Sequence, residues 1–247
     1  MTQTDDHRLP STVRPSLYQI VLEPDLETLT FRGEVTIEVD VRETAAEIAL
    51  HATELEISDA RIGNAPAAIR WEADRERAVL VPARPLPPGP ATIALRFTGT
   101  INDKMRGFYR STYARPDGTK GVLATTQFES TSARRCFPCM DEPVFKAAFD
   151  VTLVVPQRLT AVSNGPVESE TPEGSRRRIR YGRTPVMSTY LVSFSVGEFD
   201  RIEGRTKDGV PVRAFATPGR AELGRFALET AIKGLEFFGA YYGIPYK

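Results

Sequence analysis

Histidine is almost missing: the 247 residues contain only His7 and His51. No H-E-x-x-H pair exists, so the commonest peptidase zinc site cannot be assembled from this chain. Ser-His-Asp chemistry would have to recruit one of these two histidines, and no G-x-S-x-G turn serves it. His51, in "IALHATEL", reads as a packed or surface strand residue and not as a ligand. Cysteine is as scarce, with Cys136 and Cys139 alone, too few for a disulfide framework. There is no glycine-rich phosphate loop, which removes nucleotide-binding readings. No apolar run approaches the roughly 18–20 residues that span a bilayer. The opening "MTQTDDHRLPSTVRPS" lacks the apolar centre of a secretory signal. Charge of either sign is not in excess, with 32 basic and 32 acidic residues. That balance gives no broad electrostatic footprint for nucleic acid or for an anionic membrane. These absences point to a soluble, cytoplasmic protein with neither nucleic acid nor membrane as a partner.

What is present is short strands. Hydrophobic residues make up 41% of the chain, enough for a sizeable core. "GEVTIEVDV" (33–41) alternates cleanly, with Val35, Ile37, Val39 and Val41 on one face and Glu34, Thr36, Glu38 and Asp40 on the other. That is a half-buried strand with one face wet. "LYQIVL" alternates loosely and stops at Glu23-Pro24-Asp25. "EIALHA", "LEISDARI", "AIRWEA", "RAVLVPA", "FDVTLVVP", "RRRIRYG" and "TYLVSFSVGEF" continue the series, broken by Gly, Pro, Asn and Asp. The pattern predicts a mainly β protein built on antiparallel sheet. Near residue 204 the period changes. After a last strand, "VPVRAFAT", Leu223, Phe226, Ala227, Ala231, Leu235 and Phe238 recur at steps of three and four. This predicts a helix from about Gly219 to Tyr241 with an apolar stripe, stopped by Gly243 and Pro245. One helix cannot bury such a stripe alone, and the abrupt "GIPYK" reads as the end of a fragment.

Residues 126–143, "TQFESTSARRCFPCMDEP", concentrate unusual chemistry. A C-x-x-C can support redox work at a helix N-terminus. Here Pro143 soon interrupts and the surroundings are β-rich, so two small buried thiols in a packed turn are expected. Taken alone, Glu129 reads as a surface carboxylate paired with Arg134 or Arg135, an arrangement contributing about 0–1 kcal/mol. Phe137 and Phe145 read as core, and Arg176-Arg177-Arg178 as one side of a solvated hairpin.

The same stretch, followed by "VFKAAFDVTLVVP" and "LTAVSNGPV", resembles the N-terminal domain of the aminopeptidase N family, the gluzincin zinc aminopeptidases. The puromycin-sensitive and endoplasmic-reticulum members are especially similar. "PDLETLTFRGEVTIEV", "LHATEL", "TGTINDKMRGFYRSTY", "MSTYLVSFSVGEF" and "LEFFGAYYGIPYK" add to the resemblance, which extends from about Pro15 to Lys247. It implies a flexible N-terminus over 1–14 and a large, curved, saddle-like antiparallel β-domain over 15–205. Residues 206–247 would then be the opening strand and helix of a thermolysin-like catalytic domain. It implies a parent that is a zinc-dependent aminopeptidase. The G-[AG]-M-E-N and H-E-x-x-H…E motifs would follow residue 247, so this fragment would hold no metal, carry no catalytic residue and be inactive alone. Its partners would be the missing catalytic domain and a peptide with a free N-terminus.

On matched positions, the family's Q-x-E pattern falls on Gln127-Phe128-Glu129. The resemblance implies that Glu129 binds the substrate α-ammonium and that Gln127 hydrogen-bonds the first residue. Leukotriene-epoxide hydrolases of the same superfamily carry Q-x-Q, so Glu129 points to the plain aminopeptidase branch. It also implies a cis peptide bond at Glu129-Ser130. The alternative function is a non-catalytic interaction scaffold on the same β-domain.

Overall fold

The computed structural model describes residues 8–246, so His7 and the first half of the expected flexible N-terminus, 1–7, lie outside the described residues; of the remainder, Leu9 is buried and Val13 and Arg14 already belong to the first strand. The chain is mainly β, with seventeen strands and one α-helix among the described residues. In order these are β1 (Val13–Asp25), β2 (Thr30–Val41), β3 (Ile48–His51), β4 (Leu55–Ile62), β5 (Ala65–Pro66) and β6 (Ala68–Glu72). There follow β7 (Arg77–Val81), β8 (Gly89–Thr100), β9 (Gly107–Ala114), β10 (Lys120–Gln127), β11 (Ala148–Pro156) and β12 (Thr160–Ser163). The last are β13 (Val167–Glu173), β14 (Arg176–Tyr181), β15 (Phe194–Gly197), β16 (Asp200–Arg205), β17 (Pro211–Ala216) and helix α1 (Arg225–Tyr242). They fall into two compact units. The first takes the chain up to Ser111 with Leu123–Gln157 and Ala161–Val196; the second takes Thr112–Val122, Arg158–Thr160 and the chain from Gly197.

In the first unit an eight-stranded sheet runs in the order β13-β14-β11-β1-β2-β8-β4-β5. The alternation that predicts β2 is realised: Val35, Ile37, Val39 and Val41 are buried, while Glu34, Glu38 and Asp40 are exposed. All pairings in this sheet are antiparallel except one. β1 and β11 run parallel, with Leu17 opposite Ala148 and Leu22 opposite Leu153. β1 is also longer than its "LYQIVL" signal, because it tolerates two prolines. Pro15 borders a register shift against β2. Pro24 lies beyond the last β11 partner of β1, where a missing N–H breaks no second ladder. A three-stranded sheet runs β3-β7-β6, and a four-stranded sheet runs β12-β15-β10-β9.

Burial of aromatic rings dominates the core. Tyr18 stacks on Phe149 at 5.0 Å between centroids. A chain of edge-to-face contacts then runs Phe31–Phe108 (5.4 Å), Phe108–Phe194 (4.9 Å), Phe194–Phe128 (6.3 Å) and Phe128–Phe137 (5.9 Å). This chain carries the large sheet's packing to the loop after β10. Phe137 and Phe145 are core residues, as expected. Large rings need small neighbours: a β-carbon at Gly33 would sit 2.4 Å from the Phe97 ring across the ladder. Gly33→Ala should therefore cost roughly 1–3 kcal/mol of stability through overpacking. A lowered urea midpoint is the check, and an unchanged midpoint would mean that the ring moves aside freely.

Two segments depart from their sequence patterns. "TYLVSFSVGEF" predicts one strand, but Thr189–Leu191 is a 3-10 turn and only Phe194–Gly197 pairs as β15. Side-chain hydrogen bonds compete with the ladder here: the Ser188 hydroxyl donates to the Pro143 carbonyl and the Thr189 hydroxyl to Asp141. In the second unit, β16 and β17 form a two-stranded sheet and α1 packs on it. A β-carbon on Gly204 of β16 would meet Ile232 at 2.8 Å, with Leu228 beside it. Leu228 is the buried residue of the helix, whereas Leu223, Phe226 and Phe238 of the expected stripe are exposed. The ring-rich face is not the face that β16 takes.

Candidate functional site

The loop that follows β10 alternates in and out. Gln127 closes the strand and is exposed, Phe128 is buried, and Glu129 is exposed again. Period-two geometry at the strand end thus puts the Gln127 and Glu129 side chains on one side of a ring anchored between Phe137 and Phe194. The Glu129 N–H donates a long hydrogen bond, 3.4 Å, to Gln127 Oε1. The Glu129-Ser130 peptide bond is cis, as the resemblance implies. The Ser132 N–H closes the turn onto the Phe128 carbonyl at 2.8 Å.

Charge is distributed unequally around this loop. Arg134 and Arg135, the partners Glu129 would have if read alone, instead tie the loop down, Arg134 to Asp141 among others. Arg134 Nε donates to Asp141 Oδ2 at 3.0 Å and its Nη1 to Glu76 Oε2 at 3.0 Å. Arg135 bonds Glu76 Oε1 at 3.0 Å and pairs with Glu54. Among the described residues, no Lys or Arg forms an ion pair with Glu129, and its carboxylate faces solvent. The surface-pair reading of Glu129 is therefore set aside, because both arginines are engaged by carboxylates from other loops and turns.

Beneath the exposed pair lies a buried polar knot. Asp141 is 1% exposed, accepts the Thr189 hydroxyl at 2.6 Å on Oδ1 and Arg134 on Oδ2. Its own N–H donates to His51 Nδ1 at 3.2 Å. His51 is the last residue of β3 and exchanges backbone hydrogen bonds with Cys139. Burial, and then the nearby Arg134 and Arg77 cations, push its imidazole down to about 3. It is thus a neutral structural acceptor at ordinary pH. The Tyr18 hydroxyl accepts the Met140 N–H at 3.1 Å, and burial pushes its acidity well down. A cleft of about 690 Å³ opens beside the knot, lined by His51, Glu76, Thr131, Arg134, Asp141 and Glu142.

Cys136 and Cys139 are fully buried and unbridged. Burial pushes both thiols well above their ordinary values, the opposite of what a reactive thiolate needs. Among the described residues no group of three or more His, Cys, Asp or Glu side chains is arranged to hold a metal ion. None of the described helices is long and apolar enough to cross a membrane. The arginine run of β14 is charge-paired: Arg176 meets Glu23, Arg177 meets Glu170 and Arg178 meets Glu173.

The model of the Peptidase M1 N-terminal domain matches residues 14–191. The chain belongs to this family. Among the similar proteins are Aminopeptidase M1-D of Oryza sativa subsp. japonica, 45% identical over 242 residues, and Aminopeptidase M1 of Arabidopsis thaliana, 43% identical over 249. The puromycin-sensitive aminopeptidase of Caenorhabditis elegans is 40% identical over 247 residues. Each alignment covers 97% of this chain but only 28%, 28% and 26% of the relative. The chain thus spans about a quarter of the length of these curated relatives. As a peptidase M1 N-terminal domain, it combines the mainly β architecture with an exposed, uncompensated Q-x-E loop.

The sequence singles out Gln127 and Glu129, which the fold brings to one exposed side. Glu54 and Glu76 have no such signal. They lie far from Arg134–Arg135 in the chain; Glu54 falls inside "LHATEL" with no role attached to it and Glu76 in no quoted stretch, and the pairing of β3 with β7 draws them together.

Proposed function

We propose that this chain is the substrate-orienting part of an aminopeptidase, and that Glu129 grips the α-ammonium of a peptide's first residue. The reading rests on one observation above all: Glu129 presents an exposed carboxylate with no cationic partner among the described residues, while the arginines five and six positions on are tied to other acids. A carboxylate held in this way prefers a cation, and the amino terminus of a peptide supplies one. Gripped in a covered cleft, the ammonium forms a charge-assisted hydrogen bond. The grip also fixes which carbonyl is presented for cleavage and rejects internal peptide. Gln127, on the same side, bonds the first residue. Bond cleavage and the zinc of the longer protein belong to the segment outside these residues. The 247-residue chain alone, incubated with zinc and an aminoacyl arylamide, is expected to release no arylamine above a buffer control.

The test is made in the longer protein with Glu129→Gln. Inhibition by a free amino acid should weaken by about tenfold or more, the loss of one hydrogen bond to a charged group. Inhibition by the des-amino acid of the same side chain should stay unchanged. Equal weakening of both inhibitors, or none, would overturn the role given to Glu129.

A further inference from the structure

We propose that Glu54 and Glu76 are positioning residues that hold the Glu129 loop through Arg134 and Arg135, an inference that rests on the reading of Glu129 above. The loop hangs between two fixed points. Its first is Phe128, wedged between Phe137 and Phe194. Its second is the short 3-10 turn Ala133–Arg135. Glu129, Ser130, Thr131 and Ser132 span the gap, closed by the Ser132-to-Phe128 hydrogen bond. Whatever fixes Arg134 and Arg135 therefore fixes one end of the segment that presents the Glu129 carboxylate.

The fixing comes from two turns of the three-stranded sheet region. Glu54 precedes β4 and Glu76 precedes β7. Both have left-handed backbones, φ 58° for Glu54 and φ 52° for Glu76. Such a conformation ordinarily favours glycine, and for other residues it costs roughly 1–2 kcal/mol. Each glutamate aims its carboxylate at the arginine pair. Glu76 spans both, with 3.0 Å to Arg134 Nη1 and 3.0 Å to Arg135 Nη2. Glu54 takes the other terminal nitrogen of Arg135. The backbone joins in: the Thr53 N–H donates to the Arg134 carbonyl at 3.1 Å and the Ala52 N–H to the Glu76 carbonyl at 2.8 Å. Gly107 closes the remaining side, since a β-carbon there would stand 2.9 Å from Arg135 Cβ. Arg135 is thus held on three sides. A structural role alone leaves this aim unexplained, because pairs with partners as exposed as Glu54 (45%) add little stability.

The experiment uses the longer enzyme with Glu76→Ala and Glu54→Ala, each in the wild-type and in the Glu129→Gln background. The readout is kcat/KM on an aminoacyl arylamide. In the wild-type background Glu76→Ala should lower it by up to about 10²-fold, the loss expected when a positioned group shifts by about an ångström. Glu54→Ala should lower it by about tenfold, within the range of coupled neighbours. In the Glu129→Gln background each should cost less than about threefold, because the charge being positioned is already gone. The same loss in both backgrounds, or no loss in the wild type, overturns the positioning role and leaves the reading of Glu129 standing. A Glu129→Gln enzyme with undiminished preference for the free amine overturns both. Should Glu76→Ala fail to fold, Glu54→Ala decides the matter by the same comparison.

Discussion

Truncating Glu129 to alanine in the longer enzyme should lower kcat/KM on peptides by roughly 2–5 kcal/mol of lost binding energy, or about 30- to 5,000-fold. The size follows from the setting. Alone, the carboxylate is in water and unpaired. In the proposed role a bound peptide covers it, and its ammonium then has no other anion among the acids described beside this loop, since Glu54, Glu76 and Asp141 are spent on arginines. Removing the carboxylate leaves a desolvated cation unmatched, which costs far more than a surface pair. Folding should hardly notice: an exposed side chain without partners changes stability by only about ±0.5 kcal/mol. Kinetics and thermal melting of the same variant check both halves. A large fall in stability, or a fall in rate below about threefold, would contradict the assignment.

The opposite division is expected at Asp141. Asp141→Ala should destabilise the fold by about 3–5 kcal/mol, because it leaves the Arg134 guanidinium buried with a half-exposed partner. The Thr189 hydroxyl loses its acceptor at the same time. Urea titration gives the value, and a loss below about 1 kcal/mol would mean that water or Glu76 replaces the carboxylate easily. Asp141→Asn should be milder, since it keeps the shape and one acceptor for Thr189. The damage spreads beyond Arg134: the Asp141 N–H on His51 and the Met140 N–H on Tyr18 tie the same stretch, residues 140–141, to β3 and β1.

Much of the fold was legible in the residues, and the reasons differ by element. β2 announces itself because one of its faces is wet, so alternation survives in the sequence. The β1 boundary is hidden because its prolines look like stops, and only the partner strand shows which N–H groups are dispensable. The turn at Thr189–Leu191 is hidden for another reason: its hydroxyls bond residues about fifty positions away. The helix period is plain, but which face packs depends on Gly204, which has no side chain to signal it. At the site, Q-x-E can be read directly, and the resemblance gives it meaning. The part played by Glu54 and Glu76 cannot be read, even with Glu54 inside "LHATEL", because a left-handed glutamate leaves no periodic trace.

The parallel seam between β1 and β11 bears on how the chain is made. Leu17 must wait for Ala148 to leave the ribosome before the middle of the large sheet can close. At ordinary elongation rates of roughly 5–20 residues per second, that interval is on the order of ten seconds. During it, β1 and β2 form a hairpin whose apolar edge is open, the kind of nascent surface that holdase chaperones cover and that recruits aggregation when they are scarce.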